Sequence, residues 1–398
     1  MTDTDTAVAP ALQAEIDEAQ WLLPVYAHTP VEPVWGEGIT VHTRDGRALL
    51  DFYGGHAVAL LGYRHPRLLA ALGGQAEALF FQSNSVPLAV RARAAERLVR
   101  FGPAGLTRAF LVNSGAEANE NALRLAFRHF SKDAGRSRVI ALEGSFHGRT
   151  AAAAAVSWKS QGWYAFPRTP FDVTFVPRKD PDALGAALGP DVAAVILEPV
   201  QGMAGAVEMG AEYLAAVREL TLAAGALLIF DEVQCGMGRT GQPFAAQTYG
   251  VTPDLLTTAK GIAGGFPAGA VLVSDAVGQG LKAGDMGSTF GGGPLACALI
   301  EAVIGAIEED GLLPRVRQLS QLIRETCQVG PVTGIQGEGF LLGLRTTRPA
   351  RGIVDELLTK GILAGTSGDP NVVRLLPPLV LEEAHVAKLA QALSEVPA

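Results

Sequence analysis

Residues 226–241 read ALLIFDEVQCGMGRTG, and the fold follows from them. Five apolar residues, Ala226 to Phe230, run unbroken and stop at Asp231 and Glu232. A short continuous apolar run predicts a strand buried on both faces, as in a parallel sheet. The two acids then stand at the carboxyl end of that strand, where open α/β sheets place their ligands. A second stretch, LLTTAKGIAGGFPAGAV (255–271), sets Lys260 in a tight, small-residue setting. The residues between 231 and 260 suffice for a turn, a helix and a return to the same crevice. A carboxylate at a strand end and a lysine in a glycine-rich loop suit one chemistry. The lysine holds an aldehyde cofactor as a Schiff base, and the acid keeps the cofactor's ring nitrogen protonated. Taken singly, Asp231 also reads as a helix cap, and Lys260 as a solvated surface charge.

The same texture extends to either side. RAFLV (108–112), RVIAL (138–142), VTFVP (173–177), AAVILEP (193–199), ALLIFDE (226–232), LLTTAK (255–260) and AGAVLVS (268–274) are short apolar runs. Helical or loop segments separate them, which predicts βαβ units and a mainly parallel sheet. Before them comes a polar lead with a short helix, ALQAEIDEAQWLL (11–23), and then a hairpin turning at Arg44, Asp45 and Gly46. Apolar spacing predicts helices at HPRLLAALGGQAEALF (65–80) and over 88–101. Beyond Thr289 the chain reads as a long helix interrupted near Gly311 and Pro314, then strands, then helices. The expected division is an N-terminal segment (1–55) packing with a small α+β domain (296–398), and a large domain (56–295).

The 398 residues are 48% hydrophobic and 18% charged, enough for a large core. Formal charge is −8, without a lysine or arginine block, which argues against nucleic acid as partner. Three scattered cysteines, Cys235, Cys297 and Cys327, give neither a disulfide framework nor zinc-ligand spacing. No targeting leader and no apolar run of membrane-spanning length is seen, so a soluble cytoplasmic protein without a metal is expected.

Other candidate residues fall at strand ends. Ser114, Gly115 and Ala116 lie between a strand and a helix, where backbone amides attract an anion; capping by Ser114 accounts for them equally. In GSFHGRT (144–150), Phe146 suits a flat cofactor ring and Arg149 a substrate carboxylate. A loop with one core Phe and one surface Arg is the plainer alternative. AAVILEPVQG (193–202) brings Glu198 to a strand end, and VVRLLPP (372–378) sets Arg374 in an apolar run, where an arginine is rarely fully buried unless it is paired.

Together these residues resemble the class III, pyridoxal-phosphate-dependent aminotransferases from about residue 25 to 395. The carrying motifs are DFYGGHAVALLGYRHP, VNSGAEANENALRLA, GSFHGRT, ILEPVQG, LLIFDEVQCGMGRTG, TTAKGIAGGFPAGAV, GSTFGGGPLACA and VVRLLPPLV, in that order. The resemblance implies a fold-type I α/β enzyme and a homodimer with shared active sites. It implies that Lys260 carries the cofactor and moves the proton, Asp231 holds the ring nitrogen, Gln234 touches the ring hydroxyl and Phe146 stacks on the ring. Gly115 and Ala116 would bind the phosphate, and Thr289 the phosphate in the partner subunit. Arg149 would take the carboxylate of the amine donor and Arg374 the α-carboxylate of glutamate. Glu198 would cover Arg374 when the longer donor is bound, and Ser288 would also meet substrate. Gly293, Cys235 and Tyr63 depart from the family pattern, which has Asn, Thr and His there.

Within the family the chain is most similar to the acetylornithine branch, partly through Ser83 and Asn84. That implies transfer of the ω-amine of N2-acetylornithine to 2-oxoglutarate in arginine biosynthesis. Ornithine, 4-aminobutyrate or an amine linked to an amino-group carrier protein are the alternatives. A nucleotide-binding dehydrogenase would need GxGxxG after the first strand, which FLVNSGAEAN lacks. A pyridoxal-binding regulator without catalysis would not need Lys260, Asp231 and both arginines.

Overall fold

The computed structural model describes residues 13–132 and 135–398. The first part of the expected polar lead lies outside them, and the N-terminal helix is described as Gln13–Trp21.

A seven-stranded sheet forms the centre of the molecule. Across it the order is Leu106–Val112, Gly269–Ser274, Leu255–Thr258, Leu227–Asp231, Val192–Leu197, Arg138–Leu142 and Asp172–Val176. The last five of these run parallel. Val192–Leu197 and Leu227–Asp231 are buried at every position, whereas the edge strand Asp172–Val176 is buried only at Val176. Period-two alternation sends Leu227 and Ile229 to one core, and Leu228 and Phe230 to the other. Helix Gly115–His129 covers the first face against the Leu255–Thr258 and Gly269–Ser274 strands. Helix Ala211–Ala224 packs on the Leu227–Asp231 strand from the second core.

One strand departs from the expected alternation. Gly269–Ser274 runs antiparallel to both its neighbours. Residues 259–268 are too few for the helical crossover that a parallel return requires, which takes about a dozen residues or more. The short return leaves Lys260 in the bend rather than on the strand, which ends at Thr258.

Among the described residues the rest of the chain builds three smaller sheets, one of them only the pair Val200–Gln201 and Val207–Glu208. Strands Val332–Glu338, Leu341–Thr346 and Val372–Leu375 are antiparallel. The expected hairpin forms with its turn at 44–46, and Pro33–Glu37 joins it. Strand Ala48–Asp51 then pairs in parallel with Ile362–Leu363. Backbone bonds from Phe52 N to Leu363 O (2.9 Å) and from Leu376 N to Phe52 O (2.6 Å) continue this seam. It carries residues 51–57 alongside the strand of Arg374. The long helical stretch breaks into Pro294–Glu309 and Leu312–Thr326, with Gly311 left-handed at φ 63° between them. Pro314 sits within the first turn of the second helix, where a missing N–H costs nothing. No helix among the described residues is long and apolar enough to cross a membrane.

Candidate active site

A cavity of about 310 Å³ opens at the carboxyl ends of the central strands. Asp231, Gln234, Lys260, Glu198, Phe146, Arg149, Gly115 and Ala116, all named from the sequence, line it. So do His56, Asn119, His147 and Met203, which were not.

Asp231 is buried and lies at the centre of a hydrogen-bond network. Its Oδ2 accepts from Asn119 Nδ2 and from His147 Nδ1, both at 2.7 Å, and its Oδ1 from Val233 N at 3.0 Å. Asn119 also donates to the His147 carbonyl (2.7 Å) and accepts from Thr257 Oγ1 (2.6 Å). The next residue, Glu232, points the other way, as strand alternation requires. It accepts from the amides of Ala245 (2.5 Å) and Ala246 (2.8 Å) and so anchors the loop after the strand. Burial pushes its carboxyl up to about 8.

Lys260 adopts a left-handed backbone, φ 48°, at the start of the turn Lys260–Ala263. Such a conformation is uncommon for a lysine and marks a residue whose position is imposed by its surroundings. Burial lowers its proton affinity, while the charges of Asp231 and Glu198 oppose that shift. Glu198 accepts from Phe146 N (2.9 Å) and Gly202 N (3.4 Å). Burial above all pushes its carboxyl up to about 7; Asp231 adds to this and His147 acts against it.

At the other end, Ser114 caps helix Gly115–His129 by accepting from Glu117 N (3.2 Å), and Glu117 accepts in return from Ser114 N (3.1 Å). This capping box leaves the amides of Gly115 and Ala116 without an intrahelical acceptor, a ready site for an anion. Gln234 Oε1 is buried without a partner and is an acceptor awaiting a donor from the cavity.

The two arginines differ. Arg149 is exposed, its guanidinium 4.7 Å from the Trp163 ring centre and 5.8 Å from that of Phe146. Arg374 is 2% exposed and does not line the cavity. It donates to the Thr366 carbonyl (2.7 Å), the Gly202 carbonyl (3.4 Å), Met203 Sδ (3.4 Å) and the Tyr53 hydroxyl (3.1 Å). Glu198 and Arg374 thus stand on either side of Gly202, each bonded to its backbone, and form no ion pair with each other. Ser288 and Thr289 lie apart from this cavity, on a turn held by Asn84 Nδ2 to the Ser288 (2.8 Å) and Gly291 (2.9 Å) carbonyls. Thr289 is exposed.

A model of the class III aminotransferases matches residues 24–396. The chain belongs to that family. This aminotransferase is 39% identical, over 95% of its length and 96% of the other's, to a protein of Methanocaldococcus jannaschii named acetylornithine aminotransferase. Its fold matches the crystal structure of the ornithine aminotransferase from Toxoplasma gondii with a TM-score of 0.89 at 31% identity, covering 96% of this chain and 93% of that one. The acetylornithine aminotransferase from Elizabethkingia anophelis gives 0.83 at 27%, covering 96% and 97%.

Asn119 escaped the sequence reading although a signal was present. It sits on the buried stripe of an amphipathic helix, beside Ala118, Ala122 and Leu123, where an amide must find partners. Asn119→Leu keeps the bulk and removes three hydrogen bonds, leaving Thr257 Oγ1 and Asp231 Oδ2 short of partners. It is expected to destabilise the aminotransferase by about 3 kcal/mol or more, read from guanidinium unfolding; an unchanged midpoint would show that the network is dispensable.

Glu198 predicts a pH dependence. Its ordinary value is 4.5 and its folded value about 7, so between these the folded state binds the extra proton. Stability therefore falls as pH rises through that window. Glu198→Gln should flatten this slope, seen as a smaller difference between unfolding midpoints at about pH 5 and about pH 8. A slope unaltered by the substitution would contradict the assignment.

Proposed function

We propose that this aminotransferase uses pyridoxal phosphate to transfer the ω-amino group of N2-acetylornithine to 2-oxoglutarate, as a step of arginine biosynthesis. The observation that carries the reading is that Lys260 and Asp231 face one cavity, the lysine with depressed proton affinity and the acid accepting three hydrogen bonds. The free amides of Gly115 and Ala116 fit a phosphate, and the unpartnered Gln234 Oε1 fits a ring hydroxyl. Phe146 at the cavity wall fits a ring face. The name carried by the 39% identical relative supports acetylornithine as donor. Of Arg64, Arg67 and Arg168, the candidates for a basic rim that would receive a carrier protein, Arg67 is paired with Glu309 (2.6 Å) and Asp310 (3.1 Å), while Arg64 and Arg168 are exposed.

When bound, pyridoxal phosphate supplies an electron sink for the pair left as the carbon bearing the amine loses its proton. Lys260 removes that proton and returns it, and its burial keeps the neutral amine accessible. Asp231 would hold the ring nitrogen in its protonated form, with Asn119 and His147 fixing the carboxylate's orientation. Arg149, at the cavity, receives the carboxylate of the longer donor, and Arg374, set behind the cavity wall, attracts the α-carboxylate of glutamate or 2-oxoglutarate to that wall. Glu198 sits between the two demands and answers to which substrate is present.

We also propose a homodimer in which Thr289, aided by Ser288, serves the phosphate of the partner subunit. Around Thr289 the surface is apolar: Phe80 is 69% and Phe290 66% exposed, and both line a cleft of about 350 Å³ with Phe81, Phe266 and Pro267. Exposed aromatic groups in one patch favour burial against a second copy.

A donor panel tests the reaction. The holoenzyme should form glutamate from 2-oxoglutarate with free N2-acetylornithine in preference to ornithine, 4-aminobutyrate or a carrier-linked amine, and Lys260→Ala should abolish turnover. Arg149→Ala should slow the acetylornithine half-reaction, and Arg374→Ala the glutamate half-reaction, each by about tenfold or more. Turnover restricted to the carrier-linked amine would refute the donor; equal damage to both halves would refute the division of labour.

Assembly has its own test. Phe290→Asp should weaken the dimer in sedimentation and release cofactor on dilution. A monomer that retained its cofactor would exclude the shared site.

A further inference from the structure

A chain of hydrogen bonds leads from Arg374 to the cavity through two residues the mechanism above leaves unused. A guanidinium only donates, so the Tyr53 hydroxyl oxygen accepts from Arg374 Nη2 at 3.1 Å. The hydroxyl's own proton then has His56 Nδ1 as its acceptor. An imidazole that accepts at Nδ1 carries its proton on Nε2. Burial first, then the charges of Arg374 and Lys260, hold His56 down to about 4, which agrees with a neutral ring. His56 lines the cavity beside Met203 and Lys260, whereas Arg374 lies behind it.

The backbone is built to keep His56 there. Gly54, Gly55, His56 and Ala57 are all left-handed, with φ of 57°, 54°, 67° and 66°. Non-glycine residues rarely hold this conformation in succession. The carboxylate of Asp51 sustains it by accepting from the amides of Tyr53 (2.8 Å), Gly54 (2.8 Å) and Gly55 (3.1 Å). The Tyr63 hydroxyl fixes that carboxylate from outside at 2.6 Å. Tyr63 is one of the departures from the family pattern, and here it has a task.

We propose that His56 is a specificity-determining residue that donates its Nε2–H to the substrate carboxylate served by Arg374, with Tyr53 and Asp51 as its positioning residues. This deepens the function proposed above and rests on its assignment of Arg374 to the α-carboxylate of glutamate and 2-oxoglutarate. The guanidinium polarises the Tyr53 hydroxyl, and the hydroxyl the imidazole, so the positive charge of Arg374 is felt at the cavity although Arg374 does not line it. An anionic oxygen is the group such a donor favours.

The test compares single-turnover half-reactions of the holoenzyme with glutamate and with the amine donor that the panel identifies. His56→Gly tolerates the left-handed backbone and removes the ring. It should slow the glutamate half-reaction about tenfold or more relative to the amine-donor half. Tyr53→Phe leaves the backbone alone and breaks the proton link. It should give a smaller selective loss, and none further when combined with His56→Gly. His56→Gln keeps an N–H donor and should recover part of the loss. Imidazole nitrogen NMR of the holoenzyme should find His56 protonated at Nε2, with mixed tautomers in Tyr53→Phe. Equal losses in both half-reactions, additivity of the two substitutions, or a wild-type ring protonated at Nδ1 would each overturn the inference. If Arg374→Ala itself spared glutamate, the parent assignment would fall and the inference with it. If Arg374→Ala were selective and His56→Gly were not, only the inference would fall.

Discussion

A carboxylate buried at the end of a strand must have its lone pairs filled, and in this protein the filling of Asp231 draws three elements to one point. Asn119 comes from the helix that follows the first strand, His147 from the loop after Arg138–Leu142, and Val233 from Asp231's own turn. Each donor is itself held. Thr257 supports the Asn119 amide, and the Ser157 hydroxyl accepts from His147 N at 2.9 Å. The cavity wall thus consists of groups whose positions are mutually determined, and it can orient a ligand without rearranging.

The opposite wall comes from residues distant in sequence. The parallel pairing of Ala48–Asp51 with Ile362–Leu363 lays the left-handed turn at 54–57 against the strand of Arg374. A buried arginine, Arg239, links the two sides. Its Nη1 donates to the Pro377 carbonyl, and its backbone carbonyl accepts from Phe340 N at 2.8 Å. The loop that begins at Asp231 is therefore anchored to the segment just beyond Arg374. Among the described residues Arg239 has no carboxylate partner, and burial lowers its value to about 9. Such an arrangement is costly unless the guanidinium's bonds organise its surroundings.

Strand ends were the legible part of the site. A buried parallel strand announces itself as an unbroken apolar run, so the polar residue that stops it is conspicuous; Asp231 and Glu198 were found that way. The reversal of Gly269–Ser274 was also latent in the chain, because residues 259–268 cannot make a crossover. Asn119 was concealed by its helix, where one amide among apolar neighbours leaves the period intact. His147 and His56 lie in loops without a period, so nothing local distinguishes a ring aimed at a cavity from one aimed at solvent. Glu198 and Arg374 illustrate a further limit. Their charges alone did not reveal their partners, and in the folded chain each bonds to the backbone of Gly202.

By itself, then, the sequence determined the class of sheet, the family, and the candidate residues that terminate strands or open helices. These follow from periodicity and from the chemistry of single positions, which are properties of a chain read in one dimension. The tertiary structure alone decided which orphan groups remain for a ligand, which arginine is screened from the cavity, and how Tyr53 and His56 connect Arg374 to it. Those outcomes depend on distances between residues remote in sequence and on competition among partners. A hydrogen bond that is filled by one neighbour is closed to another, and only the folded chain settles which neighbour arrives.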